Sequence, residues 1–410
     1  MKKQNANTDK FIDGGLFGLL LLGVLAVTFT LFYRQCVESM VGSGLYTSDM
    51  KAYILEMQGL DSGYSFPYPV LFKLAALFHI FLAPELSMAL ATTLFNGLAV
   101  VVTKLALDRL VKSELKERFG GRGWLAGLCV SIVAVGLFFV SMVYPPTGHY
   151  LPGIKYNYLG VFTANPFHNA TYMAARPFAI LAFLWYVKLL DSYEKGADKK
   201  DYICFSIFLL IATMAKPSFT IVLVGTAGLI MLYRLFRSGF KNFKNTILLG
   251  LTFVPTFVDL LYQFQGVFVP EEGAEGGIGF CLGSIWRLYC DNILLAVGLA
   301  AGFPILVLLL NWQELKKNTL YRFSWQLYLM SFIMTFFLYE KGFRAPDFNF
   351  SWGYMYGIFF AFFGAVTVLL RAVAAGKKRI FITLQSLALL WHLTCGLYYF
   401  YGIFQGRHYY

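Results

Sequence analysis

Long apolar runs recur from one end of the chain to the other. The first, from Leu16 to Tyr33, holds no charged residue. A helix of about 20 such residues crosses the roughly 30 Å hydrocarbon core of a bilayer. In lipid each backbone polar group must be satisfied within the protein, which favours helices. The composition closes off the soluble alternative. Hydrophobic residues make up 58% of the chain and charged ones 14%, against about 25% charged in a soluble domain. With 42 Phe residues, too few polar side chains remain to cover a globular surface. A soluble enzyme, a secreted disulfide scaffold and a disordered chain are excluded.

The expected fold class is all-α: a polytopic integral membrane protein forming a single transmembrane domain over 1–410, with no separate soluble domain. Spans are expected near 15–33, 85–107, 124–144, 171–190, 202–215, 218–236, 245–263, 292–312, 323–340, 352–371 and 380–403. The run 67–83 follows a proline and contains Lys73 and His79, which suits an interfacial helix better than a span. With that choice, 22 of the 34 Lys and Arg residues fall in 1–15, 108–123, 191–201, 234–244, 313–322 and 371–379. Basic residues gather on the cytoplasmic side of membrane proteins, so the expected topology is eleven spans, N-terminus in and C-terminus out. Lys104 and Lys188 lie near inner helix ends, where their amines can snorkel to water. Tyr33-Arg34-Gln35-Cys36 is a poor cleavage site, so the first run is read as an uncleaved helix. The net charge of +12 follows from the same loops and does not point to nucleic acid. The six cysteines are scattered; Cys281 and Cys290 are near enough in sequence to pair, although nothing in their spacing requires it.

Function is sought in the outer segments, 34–84, 145–170, 264–291, 341–351 and the tail, which combine charge, aromatics and proline. In the first outer loop (34–84), Asp49 precedes an amphipathic stretch from Met50 to Leu60. Either it caps that helix or its carboxylate is held at the water–lipid boundary as a general base or cation-stabilising group. His149 and His168 share the second loop, where Asn165-Pro166 makes a turn and Asn169 caps the next helix. Arg176 stands about one turn into that span, where a guanidinium needs a partner or a phosphate. Lys216 precedes Pro217 at a break between two short spans. Glu340, Lys341, Arg344, Asp347 and Asn349 lie among six aromatic residues from Tyr339 to Tyr354. Carboxylates and amides bond sugar hydroxyls, aromatic faces stack on the ring, and Arg344 can hold a phosphate in a fork. The acidic stretch Pro270–Gly277 is either a lid or a solvated loop. Arg407-His408-Tyr409-Tyr410 adds basic side chains at the tail.

An acidic residue early in a long first outer loop, an interfacial helix, the Tyr64–Pro69 stretch leading into a second one, and Lys216-Pro217-Ser218-Phe219 between short spans together resemble the GT-C superfamily of membrane glycosyltransferases. The resemblance covers most of the chain and is clearest over its first 240 residues. It implies transfer of a sugar from a polyprenyl-phosphate donor to a lipid, glycan or protein acceptor, with inversion, on the outer face of what is expected to be the bacterial cell membrane. It also implies that Asp49 deprotonates or orients the acceptor hydroxyl. Phosphate contacts would come from His168, Arg176, Lys216, Lys341 and Arg344, and hydroxyl contacts from Glu340, Asp347 and Asn349. Many members carry a pair of acids where this chain has Ser48-Asp49; a bound divalent cation is therefore left open, and no other cofactor is implied. The expected partners are the polyprenyl-phosphate-linked sugar and membrane lipid.

The chemistry accounts for those residue types. A lipid-phosphate leaving group departs as an anion that nearby cations stabilise, and a carboxylate takes the proton of a weakly nucleophilic hydroxyl. The chain has no phosphate-binding Gly-rich loop, no His-Glu-x-x-His and no paired Cys ligands, which leaves ATP hydrolysis and zinc chemistry unsupported. The rival reading is a transporter or flippase of a lipid-linked or small polar substrate, for which broken helices and buried charges are the signature.

Overall fold

The computed structural model describes residues 2–143, 163–267, 277–342 and 344–408. These residues are almost entirely helical. The helices are α1 (Lys2–Val41), α2 (Met50–Met57), α3 (Val70–His79), α4 (Pro84–Leu107), α5 (Ser113–Arg118), α6 (Gly123–Gly136), α7 (Ala170–Ser192), α8 (Lys199–Ala215) and α9 (Ser218–Arg237). They continue with α10 (Phe243–Leu251), α11 (Val254–Val267), α12 (Ser284–Arg287), α13 (Ile293–Leu310), α14 (Glu314–Lys317), α15 (Thr319–Phe337), α16 (Ser351–Ala374) and α17 (Arg379–Phe404). Two short antiparallel strands, β1 (Ile278–Phe280) and β2 (Leu338–Glu340), pair with Gly279 opposite Tyr339.

Among the described residues seven helices, α1, α4, α7, α9, α13, α16 and α17, are long and apolar enough to cross a membrane. The pair α10–α11, bent by 45° at its break, makes an eighth if taken together. This is a helical membrane protein. The remaining expected spans fall short on length or composition. At about 1.5 Å per residue, the 14 residues of α6 and the 17 of α8 form shorter rods than those seven. α15 carries Arg322, Ser324 and Gln326 among its apolar residues. The 10-residue α3 reaches roughly 15 Å, too little to cross.

The core is built around α16. From Ser351 to Ala372 every residue except Trp352 and Arg371 is buried. Gly357 and Gly364 face Ser331 and Ser324 of α15 so closely that an added Cβ would collide with those side chains. Small residues at such crossings let backbones approach and gain packing where no hydrophobic driving force exists.

The loops sort to two ends of the bundle. At one end Arg371 pairs with Glu114 at 3.6 Å, Lys377 with Glu314 at 3.4 Å, and Thr319 donates to Asp191. At the other end the Asp49 amide donates to the His168 carbonyl at 3.2 Å, and Tyr46 meets Gly406.

Two sequence expectations are corrected, and one open question is answered. The run 323–340 does not stay helical to its end: α15 stops at Phe337, and Leu338–Glu340 turns extended to pair with Ile278–Phe280. Two more backbone bonds, Cys281 N–H to Phe337 and Gly283 N–H to Phe336, both 2.8 Å, fasten that hairpin. Lys104 does not snorkel. It is buried, 3% exposed, and its amine lies 3.5 Å from Asp13 on α1 and 2.5 Å from Asp108. Lys112 also pairs with Asp13; the buried Lys104 needs opposite charge more than it needs water. No disulfide joins Cys281 and Cys290; their thiols donate to the Phe336 carbonyl at 3.5 Å and the Asn292 carbonyl at 3.1 Å.

Candidate functional site

At the end of the bundle that holds Asp49, a cavity of about 850 Å³ opens between α2, α8, α9, α11 and the segment from β2 to α16. Asp49, His168, Lys216, Glu340, Arg344, Asp347 and Asn349 all line it. These residues come from four separate stretches of sequence.

One wall is organised by Asn169. It sits at the N-cap of α7, where its Oδ1 accepts the Tyr172 amide at 2.9 Å. That bond satisfies a free helix N–H and fixes which way the amide faces. Its Nδ2 is then left to donate to Asp49 Oδ2 at 2.7 Å and to the Tyr53 hydroxyl at 2.6 Å. Asp49 is placed at the start of α2 but makes no side-chain cap bond to it. Its carboxylate instead accepts from Asn169 and, at 3.3 Å, from Tyr53. Burial, and then the nearby Asp49, push the Tyr53 phenol well above its ordinary value, so it remains a donor.

Lys216 completes this wall. Pro217 disfavours helical conformation in the residue before it; accordingly α8 ends with Lys216 extended. The amine reaches Thr171 Oγ1 at 3.2 Å and Asn169 Oδ1 at 3.4 Å and lies 4.5 Å from the centre of the Trp352 ring. Burial pulls its pKa down to about 8, Asp49 opposes that, Arg344 adds to it and Glu340 opposes it. His168 is 2% exposed and packs at 5.6 Å against the Trp352 ring. Burial holds its pKa near 4, with Asp49 opposing and Lys216 adding. That direction favours the neutral ring, and the side chain lines the cavity. Its firm contribution is the backbone carbonyl that holds the Asp49 amide.

The opposite wall carries Glu340, Arg344, Asp347 and Asn349. Arg344 Nε lies 3.3 Å from Asp347 and 3.6 Å from Glu340. No hydrogen bond to its two Nη atoms exists among the described residues, which leaves the fork of the guanidinium for a ligand. Asn349 donates to Glu340 at 2.8 Å and accepts from the Trp352 indole at 3.2 Å. Trp352 thereby ties the two walls together. Tyr289 stacks on Phe348 at 5.3 Å and donates to the Pro346 carbonyl, bracing the turn. The lining also includes the apolar side chains of Ile221, Val222, Leu260, Met334 and Leu338.

Two expected site residues do not join it. Arg176 is fully buried within the bundle and bonds Asn165 at 2.6 Å and Asn96 at 2.5 Å, with its guanidinium 4.3 Å from the Phe138 ring. Its partners here are two amide oxygens. Lys341 is exposed and outside the lining, with its amide bound to the Gly277 carbonyl. His149 and residues 270–276 lie outside the described residues.

The sequence reading passed over Tyr53, Trp352 and the bridging role of Asn169. Tyr53 did carry a signal, since four residues from Asp49 along a helix places it on the same face. Compared with known proteins, the chain matches no family model and no curated protein.

Proposed function

We propose that this protein is a membrane glycosyltransferase of the GT-C type that moves a sugar from a polyprenyl-phosphate donor to an acceptor hydroxyl on the outer face of the membrane. The observation that carries this reading is the convergence of Asp49, Lys216 and Arg344 on one cavity that is also lined by apolar side chains. A carboxylate, two cations and a lipid-sized groove are the parts the reaction needs.

In this reading the polyprenyl chain lies along Ile221, Val222, Leu260 and Met334, and its phosphate meets the Arg344 fork and the Lys216 amine. Asp49 takes the acceptor proton as the acceptor oxygen bonds to the anomeric carbon. The bond from that carbon to the phosphate oxygen breaks, and its electron pair leaves with polyprenyl phosphate. Displacement from the opposite side inverts the anomeric centre. Glu340, Asp347 and Asn349 bond sugar or acceptor hydroxyls, and Trp352 offers a ring face. The eleven-span topology, N-terminus in and C-terminus out, belongs to the same proposal. It is supported by the separation of the basic loops from the cavity loops at opposite ends of the bundle.

The bent pair α10–α11 beside the cavity and the break at Lys216-Pro217 favour a transporter or flippase instead. One experiment separates the two. The protein, reconstituted in vesicles, is offered polyprenyl-phosphate-linked hexoses and pentoses, and release of polyprenyl phosphate is followed. Asp49→Asn should abolish release while donor binding stays near wild type. Wild-type turnover in that variant would sink the catalytic assignment, and movement of intact donor across the bilayer without cleavage would favour the transporter.

A further inference from the structure

The segment that leads into Asp49 is held from the far end of the chain. α17 ends at Phe404, and Gly406, at φ +84, turns the backbone in the left-handed conformation suited to glycine. The Gly406 carbonyl accepts the Tyr46 amide at 3.3 Å. The Tyr46 ring lies against Gly406 so closely that an added Cβ would stand 3.0 Å from it. Tyr46 itself is left-handed, at φ 51, a conformation a bulky residue keeps only when its surroundings enforce it. Arg34, near the end of α1, supplies part of that enforcement. Its Nη1 donates to the Phe404 carbonyl at 3.3 Å and to the Tyr46 hydroxyl at 3.2 Å. One residue further on, Thr47 Oγ1 and His408 Nδ1 lie 2.8 Å apart. Asp49 follows two residues later, and its amide is fixed by the His168 carbonyl.

We propose that Gly406–His408 is a strap that positions Asp49, with the Thr47–His408 hydrogen bond as its clasp. Between Val41 and Met50 the chain is not helical, so its path is set by what it touches. The strap fixes Tyr46 and Thr47, and the His168 carbonyl fixes Asp49. With both ends of that short stretch held, the Asp49 carboxylate is brought within reach of Asn169 and Tyr53. His408 is a positioning residue, acting through Thr47 and touching no substrate. The effect on rate rests on the transferase reading; the effect on local order does not.

The test uses the full chain in lipid nanodiscs, with Thr47→Val, His408→Ala, the double variant and His408→Asn. Each of the first two should lower the transfer rate at saturating donor by ~3–10-fold, the worth of one hydrogen bond, with donor KM unchanged. The double variant should be no slower than the worse single one, and His408→Asn should recover most of the rate. Independently, amide hydrogen exchange across Tyr46–Tyr53 should quicken in His408→Ala. Additive losses, a change in KM alone, or unchanged exchange would overturn the strap. Quickened exchange in a protein that transfers no sugar even as wild type would leave the strap standing and remove the transferase reading.

Discussion

Asn169 Nδ2 stands 2.7 Å from Asp49 Oδ2, while the Oδ1 of the same amide accepts the Tyr172 backbone N–H at 2.9 Å. The first turn of α7 therefore aims the donor that holds the proposed base. The two jobs of this side chain can be separated by mutation. Serine caps a helix about as well as asparagine but has no second donor to offer, so Asn169→Ser should keep the thermal midpoint near wild type and slow transfer by ~10²-fold, the cost of a misplaced catalytic group. Asn169→Ala should lose a similar factor in rate and also lower stability by ~1 kcal/mol. Initial rates and thermal unfolding of the two variants side by side check this; a normal rate in Asn169→Ser would remove Asn169 from the site.

Lys216 sets the expected pH dependence. Burial brings its pKa down to about 8 from an ordinary 10.5, so activity that needs the ammonium should fall as pH rises through about 8. Stability moves the other way. Between about 8 and 10.5 the unfolded chain holds a proton that the folded chain does not, so this residue's contribution to stability rises with pH across that window. Lys216→Met should flatten the alkaline limb and weaken donor binding. A rate profile from pH 6 to 10 on both proteins measures it, and an unchanged alkaline limb in Lys216→Met would place the titrating group elsewhere.

What the sequence revealed and what it hid have one physical origin. Charge beside an apolar run is costly, which marks Asp49, Lys216, Glu340 and Arg344 as residues with a purpose. Those four do line one cavity. The same rule marks Arg176 and Lys104 equally strongly, because cost alone does not say whether the partner is a ligand or another side chain. Their partners, Asn96 and Asn165 for the first and Asp13 and Asp108 for the second, are chosen by helix packing, which no single stretch of sequence displays. The end of α15 was hidden for a similar reason: Leu338–Glu340 reads as apolar helix until β1 is brought beside it. Tyr53 and Trp352 look like two more aromatics in a chain with 18% of them, and only their neighbours distinguish them.

His168 offers a sharp test because its two possible roles lead to different outcomes. As a cation on the donor phosphate it would be indispensable. As a buried neutral ring whose backbone carbonyl holds Asp49, it should tolerate an aromatic replacement. His168→Phe keeps the ring contact with Trp352 and the carbonyl, so transfer should stay within a few-fold of wild type. No limb near pH 6.5 should appear in the wild-type profile from this residue, since its pKa lies near 4. A loss of a hundredfold or more in His168→Phe would restore a direct role for the imidazole.

The two arginines lead to opposite expectations. Arg344 has its Nε engaged by Asp347 and Glu340, and its side chain is 27% exposed. Arg344→Ala should raise donor KM by ~10–100-fold, the worth of a charge-assisted bond to phosphate, with little change in thermal midpoint. Arg344→Lys should rescue only in part, because a point charge does not replace a bidentate fork. Arg176 is fully buried, and its removal orphans the amide oxygens of Asn165 and Asn96. Each orphaned acceptor costs ~1–3 kcal/mol, offset in part by no longer burying a charge. Arg176→Met should therefore lower the thermal midpoint and leave donor KM alone. Thermal unfolding and donor titration of both variants decide the matter. The reverse pattern, a stability loss at Arg344 and an affinity loss at Arg176, would move the phosphate site from the cavity rim into the bundle.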